Sequence, residues 1–325
     1  MLSLKAGTCE DMAVDDEIRE AEKIFNAFLS YALFGREMTY HRWDIFVESL
    51  LRKELLPNGL YSRRPDPHYM SKVLSTLRQI VREWTVEGKP ERDATYAPIM
   101  EYLRKRYPNV DDRGGVSIMV PGSGLGRLAF ELAKEGFTVE GNEYSMVMLM
   151  TSSFMLNACY EVNEHTIYPY ALDKSNCWSY EDQTRPVYFP DIGKSRDEVP
   201  PNFSMIAGDF LEIAQSRASS FDCIVTAWFI DTAKNIIDYI ETIYKILKPG
   251  GVWLNVGPLT YHYEDMMDEM SIELPYDEVM RIVRLTGFIV EKEDRIISYY
   301  TINRSSMLQN QYTCAFFVAT KPVPQ

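Results

Sequence analysis

The stretch Val116-Ser-Ile-Met-Val-Pro-Gly-Ser-Gly-Leu-Gly-Arg-Leu128 limits what this chain can fold into more than any other. It reads as a short apolar strand, a glycine-dense turn and the start of a helix. Val139-Glu-Gly-Asn-Glu143 follows as a second strand ending in an acid. Glycine accepts positive φ and lets bare backbone approach a ligand. A strand, such a turn and an acid about 20 residues further on is how open α/β sheets hold an adenosine-bearing cofactor. Gly122, Gly124 and Gly126 follow a GxGxG spacing rather than GxGxxG, which argues against a pyrophosphate dinucleotide.

From Val116 onward, apolar runs alternate with helical periodicity, as in a mostly parallel sheet covered by helices. The pattern predicts strands near 117–120, 138–142, 203–207, 221–227 and 252–256, and helices near 126–135, 146–157, 233–247 and 276–286. Pro249-Gly-Gly251 reads as a tight turn into the last of these strands. Segments 296–302 and 311–320 read as a closing antiparallel hairpin. Upstream, 16–55 carries helical spacing through Ile18, Ala21, Ile24, Phe25, Phe28, Leu29 and Ala32, and 69–84 and 96–107 read as further helices. Residues 165–202 break the rhythm. They hold Tyr168, Tyr170, Trp178, Tyr180, Tyr188 and Phe189 without a period, which reads as an ordered aromatic lid. The expected organisation is a helical arm over 1–68 and an α/β domain over 69–325, with the lid inserted at 165–202.

Bulk properties exclude several classes of partner. A formal net charge of −13 argues against nonspecific binding to nucleic acid or an anionic membrane. The 5 cysteines are scattered, with no CxxC or Cys/His cluster, so neither a disulfide framework nor a metal site is expected. There is no N-terminal h-region and no apolar run of about 18 residues. The expected setting is the cytosol or nucleus.

Candidate ligand-binding residues cluster at the predicted strand ends. Glu143 can accept both hydroxyls of a ribose, against a plain solvated carboxylate. Asp209 ends the 203–207 strand segment, where an acid can accept an adenine amino group while Phe210 contacts the ring; the competing role is a helix N-cap. Asp231, in Trp228-Phe-Ile-Asp-Thr, follows the next strand, where a substrate would meet the cofactor, again against an N-cap role. His262, one of 4 histidines, follows the strand after that and faces the same crevice; a structural role is the alternative. No hydride-transfer constellation accompanies these residues. A five-strand core, an acid after the third strand and an antiparallel tail fit an S-adenosylmethionine-dependent methyltransferase better than a nicotinamide dehydrogenase.

Together, Val120-Pro-Gly-Ser-Gly-Leu-Gly-Arg-Leu128, Gly141-Asn-Glu-Tyr-Ser145, Asn202-Phe-Ser-Met-Ile-Ala-Gly-Asp-Phe210, Phe229-Ile-Asp-Thr-Ala233, Leu247-Lys-Pro-Gly-Gly251 and Gly257-Pro-Leu-Thr-Tyr-His262 resemble the carnosine N-methyltransferase family, as does Ser75-Thr-Leu-Arg-Gln-Ile-Val-Arg-Glu-Trp84. The resemblance covers about residue 70 to the C-terminus. It implies a class I, Rossmann-like, seven-stranded methyltransferase sheet. It also implies methyl transfer from S-adenosyl-L-methionine to the imidazole nitrogen nearer the side-chain attachment, in carnosine (giving anserine) or related histidine peptides. Methylation of histidine within proteins, and a non-catalytic cofactor-binding regulator, are the alternatives. Gln79 and Arg82 would close over the cofactor and reach its methionine carboxylate. Gly122, Gly124, Glu143, Asp209 and Phe210 would line the rest, with Thr226 and Ala227 at the adenine or sulfonium end. Asp231, His262 and Tyr312 would hold the substrate. Ala227-Trp228 departs from the family's Cys-Phe at that point. A homodimer is left open.

Overall fold

The computed structural model describes residues 67–193 and 199–324, with helical pieces at 19–24 and 26–28 and Tyr31. Of the expected arm, Ile24, Ala27, Phe28 and Tyr31 are buried in the main core. Ile18, Phe25, Leu29, Ala32 and the rest of 32–66 lie outside the described residues.

Helices α1 (Pro67–Trp84) and α2 (Lys89–Arg106) precede the sheet. Then come β1 (Ser117–Pro121), α3 (Arg127–Lys134), β2 (Thr138–Glu143) and α4 (Met146–Ala158). An insertion follows, with β3 (His165–Ile167), α5 (Tyr180–Gln183) and β4 (Val187–Phe189). The chain continues through β5 (Phe203–Ala207), α6 (Phe210–Ala214), β6 (Phe221–Ala227), α7 (Ile236–Ile246) and β7 (Leu247–Gly257). It closes with α8 (Tyr276–Leu285), β8 (Ile289–Ser298) and β9 (Tyr312–Thr320).

Seven strands form one sheet in the order β5-β2-β1-β6-β7-β9-β8. The first five are parallel; β9 pairs antiparallel to β7, and β8 antiparallel to β9. Strand residues alternate between the faces, so Ile118 and Val120 enter one core while Met119 enters the other. Strand order reverses between the parallel neighbours β1 and β6, which opens a crevice beyond their carboxyl ends. The glycine turn, Glu143, Asp209 and the segment after Ala227 all lie along that edge.

The structure corrects five sequence expectations. Pro249-Gly-Gly251 is not a separate turn but a bulge within β7, whose register steps from Phe221↔Leu247 to Cys223↔Val252. Gly250, at φ +79°, donates its N–H to Lys321 O at 2.8 Å. Helix α2 begins earlier than 96 because Pro90 suits a first turn, where no N–H is needed. Helix α7 begins at Ile236 because Asn235 caps it, its Oδ1 accepting from Ile237 N at 3.0 Å. Strand β8 starts at Ile289, since Glu291-Lys-Glu-Asp-Arg295 is a charged edge strand with no apolar signal. The insertion is partly regular: His165–Ile167 and Val187–Phe189 pair antiparallel, while 194–198 lie outside the described residues. Among the described residues, no helix is long and apolar enough to cross a membrane.

His165 is 5% exposed, packed between Phe154 and Phe189 at centroid distances of 5.1 and 5.3 Å, and neither ring nitrogen has a hydrogen-bond partner. Burial holds its pKa below the usual histidine value, with Glu164 opposing. The unfolded chain therefore takes up the proton more readily. Stability is intact above about pH 6.5 and declines as pH falls from there through the folded-state pKa. His165→Phe is expected to flatten this acid limb: the melting temperature of the parent should fall relative to that of the variant as pH drops from 7 to 5. Parallel curves would remove His165 from the acid response.

Candidate functional site

The turn after β1 is built on three left-handed glycines, Gly122, Gly124 and Gly126, at φ +63°, +57° and +82°. A Cβ on Gly122 would sit 2.3 Å from the Phe229 ring, and one on Gly124 would sit 2.9 Å from Glu83 Oε1. The backbone is thus bare where two other elements press on it. Glu143, at the end of β2, accepts Gly124 N at 2.9 Å through Oε2 and Ser145 N at 2.8 Å through Oε1. Burial pushes its carboxyl above the usual range, against the pull of those N–H groups. Each oxygen keeps lone-pair capacity for a hydroxyl donor.

Asp209 does cap a helix: Oδ1 accepts Leu211 N at 2.8 Å and Glu212 N at 3.3 Å. Both bonds use one oxygen, so capping and ligand contact are compatible. Phe210 is only 3% exposed and packs edge-on to Phe229 and Tyr239. Phe229 in turn is the ring beneath Gly122, so Phe210 belongs to the wall supporting the loop.

A second group of residues faces this loop from α1. Gln79 and Arg82 are buried, at 5% and 6% exposure. Gln79 Nε2 donates to the Tyr300 hydroxyl at 2.5 Å, and the Arg82 guanidinium lies 5.1 Å over the Tyr300 ring. Tyr300 packs 4.8 Å from Trp228, which meets Tyr312 edge-on at 5.0 Å. Trp228 has φ +57°, a strained value for a bulky residue. Its N–H donates to Val256 O at 2.8 Å and its indole to Thr95 Oγ1 at 3.3 Å, which hold that conformation.

The sequence reading missed Tyr300, Glu83, Glu91 and Thr260. Glu91 is 2% exposed; it meets Arg82 Nε at 3.0 Å and accepts Thr301 N at 2.7 Å and Ile302 N at 3.2 Å. It thereby ties the Tyr300 turn to α1. Glu83 could have been noticed, since it lies four residues on from Gln79 and so shares its helix face. Glu91 and Thr260 carry no local signal.

Asp231 lies in a 3-10 turn, Ile230–Thr232, and is 2% exposed. It caps no helix, that role being Asn235's. Its Oδ2 accepts both the N–H and the hydroxyl of Thr260 at 2.9 Å. Its backbone carbonyl accepts His262 N at 3.1 Å, while the His262 side chain is exposed. Burial pushes the Cys314 thiol up to about 12; Asp231 adds to the shift and Arg82 opposes it, so the two faces of the site lie within electrostatic reach of one thiol. The Thr226 hydroxyl is fully buried and committed, donating to Asn255 Oδ1 and accepting from Trp253 Nε1, both at 2.8 Å. Ala227 is half-buried at the strand end.

Sheet order, glycine turn and the acid ending β2 form a Rossmann-like crevice of the class that holds S-adenosylmethionine. The residues present fit that cofactor: a bare glycine cradle, a carboxylate with free lone pairs, and Gln79 Oε1 buried without a partner. The chain belongs to the carnosine N-methyltransferase family, whose model matches residues 61–323. It is 49% identical over 257 residues to the carnosine N-methyltransferase of Rattus norvegicus, covering 78% of this chain and 64% of that one. It is 41% identical over 259 residues to "Carnosine N-methyltransferase unmet" of Drosophila melanogaster, covering 79% and 57%. The Schizosaccharomyces pombe carnosine N-methyltransferase is 42% identical over 262 residues, covering 77% and 70%. The chain thus spans less than two thirds of the rat and Drosophila proteins. Among solved structures, a Haemonchus contortus phosphoethanolamine N-methyltransferase 2 in complex with S-adenosyl-L-methionine shares 15% identity over 79% of this chain and 58% of that one, at a TM-score of 0.46.

Thr260 supplies both hydrogen bonds seen on the Asp231 carboxylate, one of them through its hydroxyl. Thr260→Val keeps shape and backbone N–H but removes that second bond, worth about 1.5–3 kcal/mol when the acceptor is charged. A fall in kcat of about tenfold is expected, with the S-adenosylmethionine Kd unchanged by calorimetry. A change confined to Kd would remove Asp231 from the transfer step.

Proposed function

We propose that this chain transfers the methyl group of S-adenosylmethionine to a histidine imidazole, at the nitrogen nearer the side-chain attachment, in carnosine or a related small histidine peptide. Carnosine would give anserine. The observation that carries this reading is the state of Asp231. Both contacts to its carboxylate fall on Oδ2, so a buried acid keeps Oδ1 for an N–H donor.

The cofactor supplies an electrophilic methyl group on a sulfonium. Attack on it needs a ring lone pair held in line, at about 3–3.5 Å. Imidazole has an ordinary pKa near 6.5, so at neutral pH the nucleophile is already present. What the protein must choose is the nitrogen. A neutral imidazole carries one N–H and one lone pair. Asp231 Oδ1, by accepting the distal N–H, puts the lone pair on the proximal nitrogen. The same carboxylate offsets the positive charge that builds on the ring, an effect strengthened by burial. Trp228 and Tyr312 form an aromatic wall beside it, and His262 stands at the rim, its backbone fixed to Asp231.

Holding the cofactor falls to the opposite face. Glu143 takes the ribose hydroxyls through its open lone pairs, Asp209 keeps one oxygen for adenine, and Gln79 and Arg82 close from α1 with Tyr300 of the β8–β9 connection against them. The Asp173–Cys177 part of the insertion bears on the Tyr300 segment: Met307 N donates to Asn176 O at 2.8 Å. Insertion and β8–β9 connection are thus joined, and in this reading they close over the site together to exclude water.

The test is mass spectrometry of carnosine incubated with the protein and S-adenosylmethionine, with fragmentation to place the methyl, beside glycyl-histidine and a cell lysate. Methyl on the proximal nitrogen of carnosine is expected. Transfer confined to lysate proteins would favour a protein-histidine acceptor, and no transfer to any of the three would sink the reading. Asp231→Asn is expected to keep cofactor Kd within about twofold and lose about 10²–10³ in kcat. Lost cofactor binding with unchanged turnover would overturn the role.

A further inference from the structure

Helix α1 carries three polar side chains on one face, Gln79 followed by Arg82 and Glu83 three and four residues on; Glu83 reaches the glycine loop, and Gln79 and Arg82 meet Tyr300 beside it. Glu83 is 3% exposed, unusual for an acid. Its Oε2 accepts Arg127 N at 3.2 Å, at the start of α3. Its Oε1 reaches the open side of Gly124, 2.9 Å from where a Cβ would stand. Its ion pair with Arg82 is long, at 3.5 Å. Arg82 has its shorter pair with Glu91, and its guanidinium lies over Tyr300. Burial pushes the Glu83 carboxyl upward in spite of Arg82 and the N–H groups of Arg127 and Leu125. The partners present do not fully compensate the buried charge, and a further cation would.

Gln79 adds an independent sign. Its Nε2 is spent on Tyr300, and its Oε1 is buried with no partner at all. An orphaned buried acceptor costs free energy unless a donor arrives. One turn of helix therefore presents two acceptors to the loop. Across Gly124 stands Glu143, bonded to that residue's N–H at 2.9 Å. Two carboxylates thus flank a single glycine, one suited to a ribose diol and one to a cation.

We propose that Glu83, assisted by Gln79 Oε1, receives the ammonium group at the methionine end of S-adenosylmethionine. An ammonium brings three donors and no acceptor, matching two acceptor side chains, whereas a carboxylate brings acceptors only. Gln79 thereby serves the amine rather than the methionine carboxylate, and Arg82 remains for the latter. Amide orientation does not decide the matter, because the Glu83 carboxylate accepts in either case.

The proposal rests on the cofactor reading, and calorimetry without any acceptor separates the two. The probes are S-adenosylhomocysteine, its decarboxylated analogue, which keeps the amine, and its deaminated analogue, which keeps the carboxylate. For the parent protein, loss of the amine is expected to weaken binding about thirtyfold or more, and more than loss of the carboxylate, given the strength of hydrogen bonds to charged groups. Glu83→Gln should weaken S-adenosylhomocysteine and the decarboxylated analogue by a similar factor and leave the deaminated one within about threefold. Gln79→Leu should act in the same direction with a smaller loss. Equal losses on all three ligands would mark Glu83 as a purely structural residue and overturn the proposal. Should Glu83→Gln fail to fold, the parent protein still decides: a deaminated analogue binding as tightly as S-adenosylhomocysteine overturns it. No binding of S-adenosylhomocysteine at all would remove the cofactor reading, and this proposal with it.

Discussion

The site depends on a buried network of guanidinium and carboxylate groups that pins α1 to the rest of the domain. Arg127, in the first turn after the glycine loop, donates from Nη1 to Glu83 O at 2.8 Å and to Asp191 Oδ1 at 2.6 Å. Arg92 pairs with the same aspartate and donates to the carbonyls of Arg82 and Thr85, both at 2.8 Å. Arg82 continues the network to Glu91, and Glu91 to the Thr301 backbone. Helix α1, the loop helix α3, the end of the insertion and the β8–β9 connection therefore meet through side chains that are almost fully buried. Replacing one partner of such a pair leaves an uncompensated charge and typically costs about 3–5 kcal/mol. The energetic gain of forming it is smaller, because both charges must be desolvated. Hydrophobic packing already brings α1 and α3 together, Trp84 against Phe130; what the network adds is directional contacts that fix how they meet the insertion and the β8–β9 connection.

That relation explains the division of labour along the carboxyl edge of the sheet. On one side, β1, β2 and β5 end in the glycine turn, Glu143 and Asp209, all backbone-anchored and proposed to take the adenosine. On the other, β6 and β7 end in Trp228, Asp231 and the Thr260 segment, the proposed acceptor face. The two halves share no strand beyond the β1–β6 pairing. Their side chains are joined instead by Tyr300, held by Gln79 and Arg82 from one side and packed on Trp228 on the other. Cofactor and acceptor faces are thus set against each other by a connection between the last two strands, which lie at the far edge of the sheet.

Much of the architecture was legible from local pattern. β1, β2, β5 and β6 fall within a residue of the expected bounds, because apolar runs of interior parallel strands are hard to mistake. Legibility failed where the local signal was weak or contradicted by tertiary pairing. The charged strand β8 is held by β9 and not by its own apolar content. Pro249-Gly-Gly251 resembles a free turn, yet its backbone pairs with Lys321 at the end of the chain. Asp209 and Asp231 looked alike as acids before helices. Only the position of Asn235 separates them, leaving Asp209 as a cap and Asp231 bound to Thr260.

By itself, the sequence determined the sheet, the order of its elements, the left-handed glycine turn and the acid at the end of β2. Those follow from side-chain periodicity and from the steric freedom of glycine, both of which act within a few residues. Tertiary structure alone decided which carboxylate oxygens are spent and which are open, that Gln79 Oε1 is buried without a partner, and that Glu83 meets the glycine loop while Glu91 meets the turn after Tyr300. These are consequences of contacts across 44 residues, from Arg127 to Glu83, and across 210, from Thr301 to Glu91. Hydrogen-bond direction and burial arise only when such distant groups are brought together, so no window of sequence contains them.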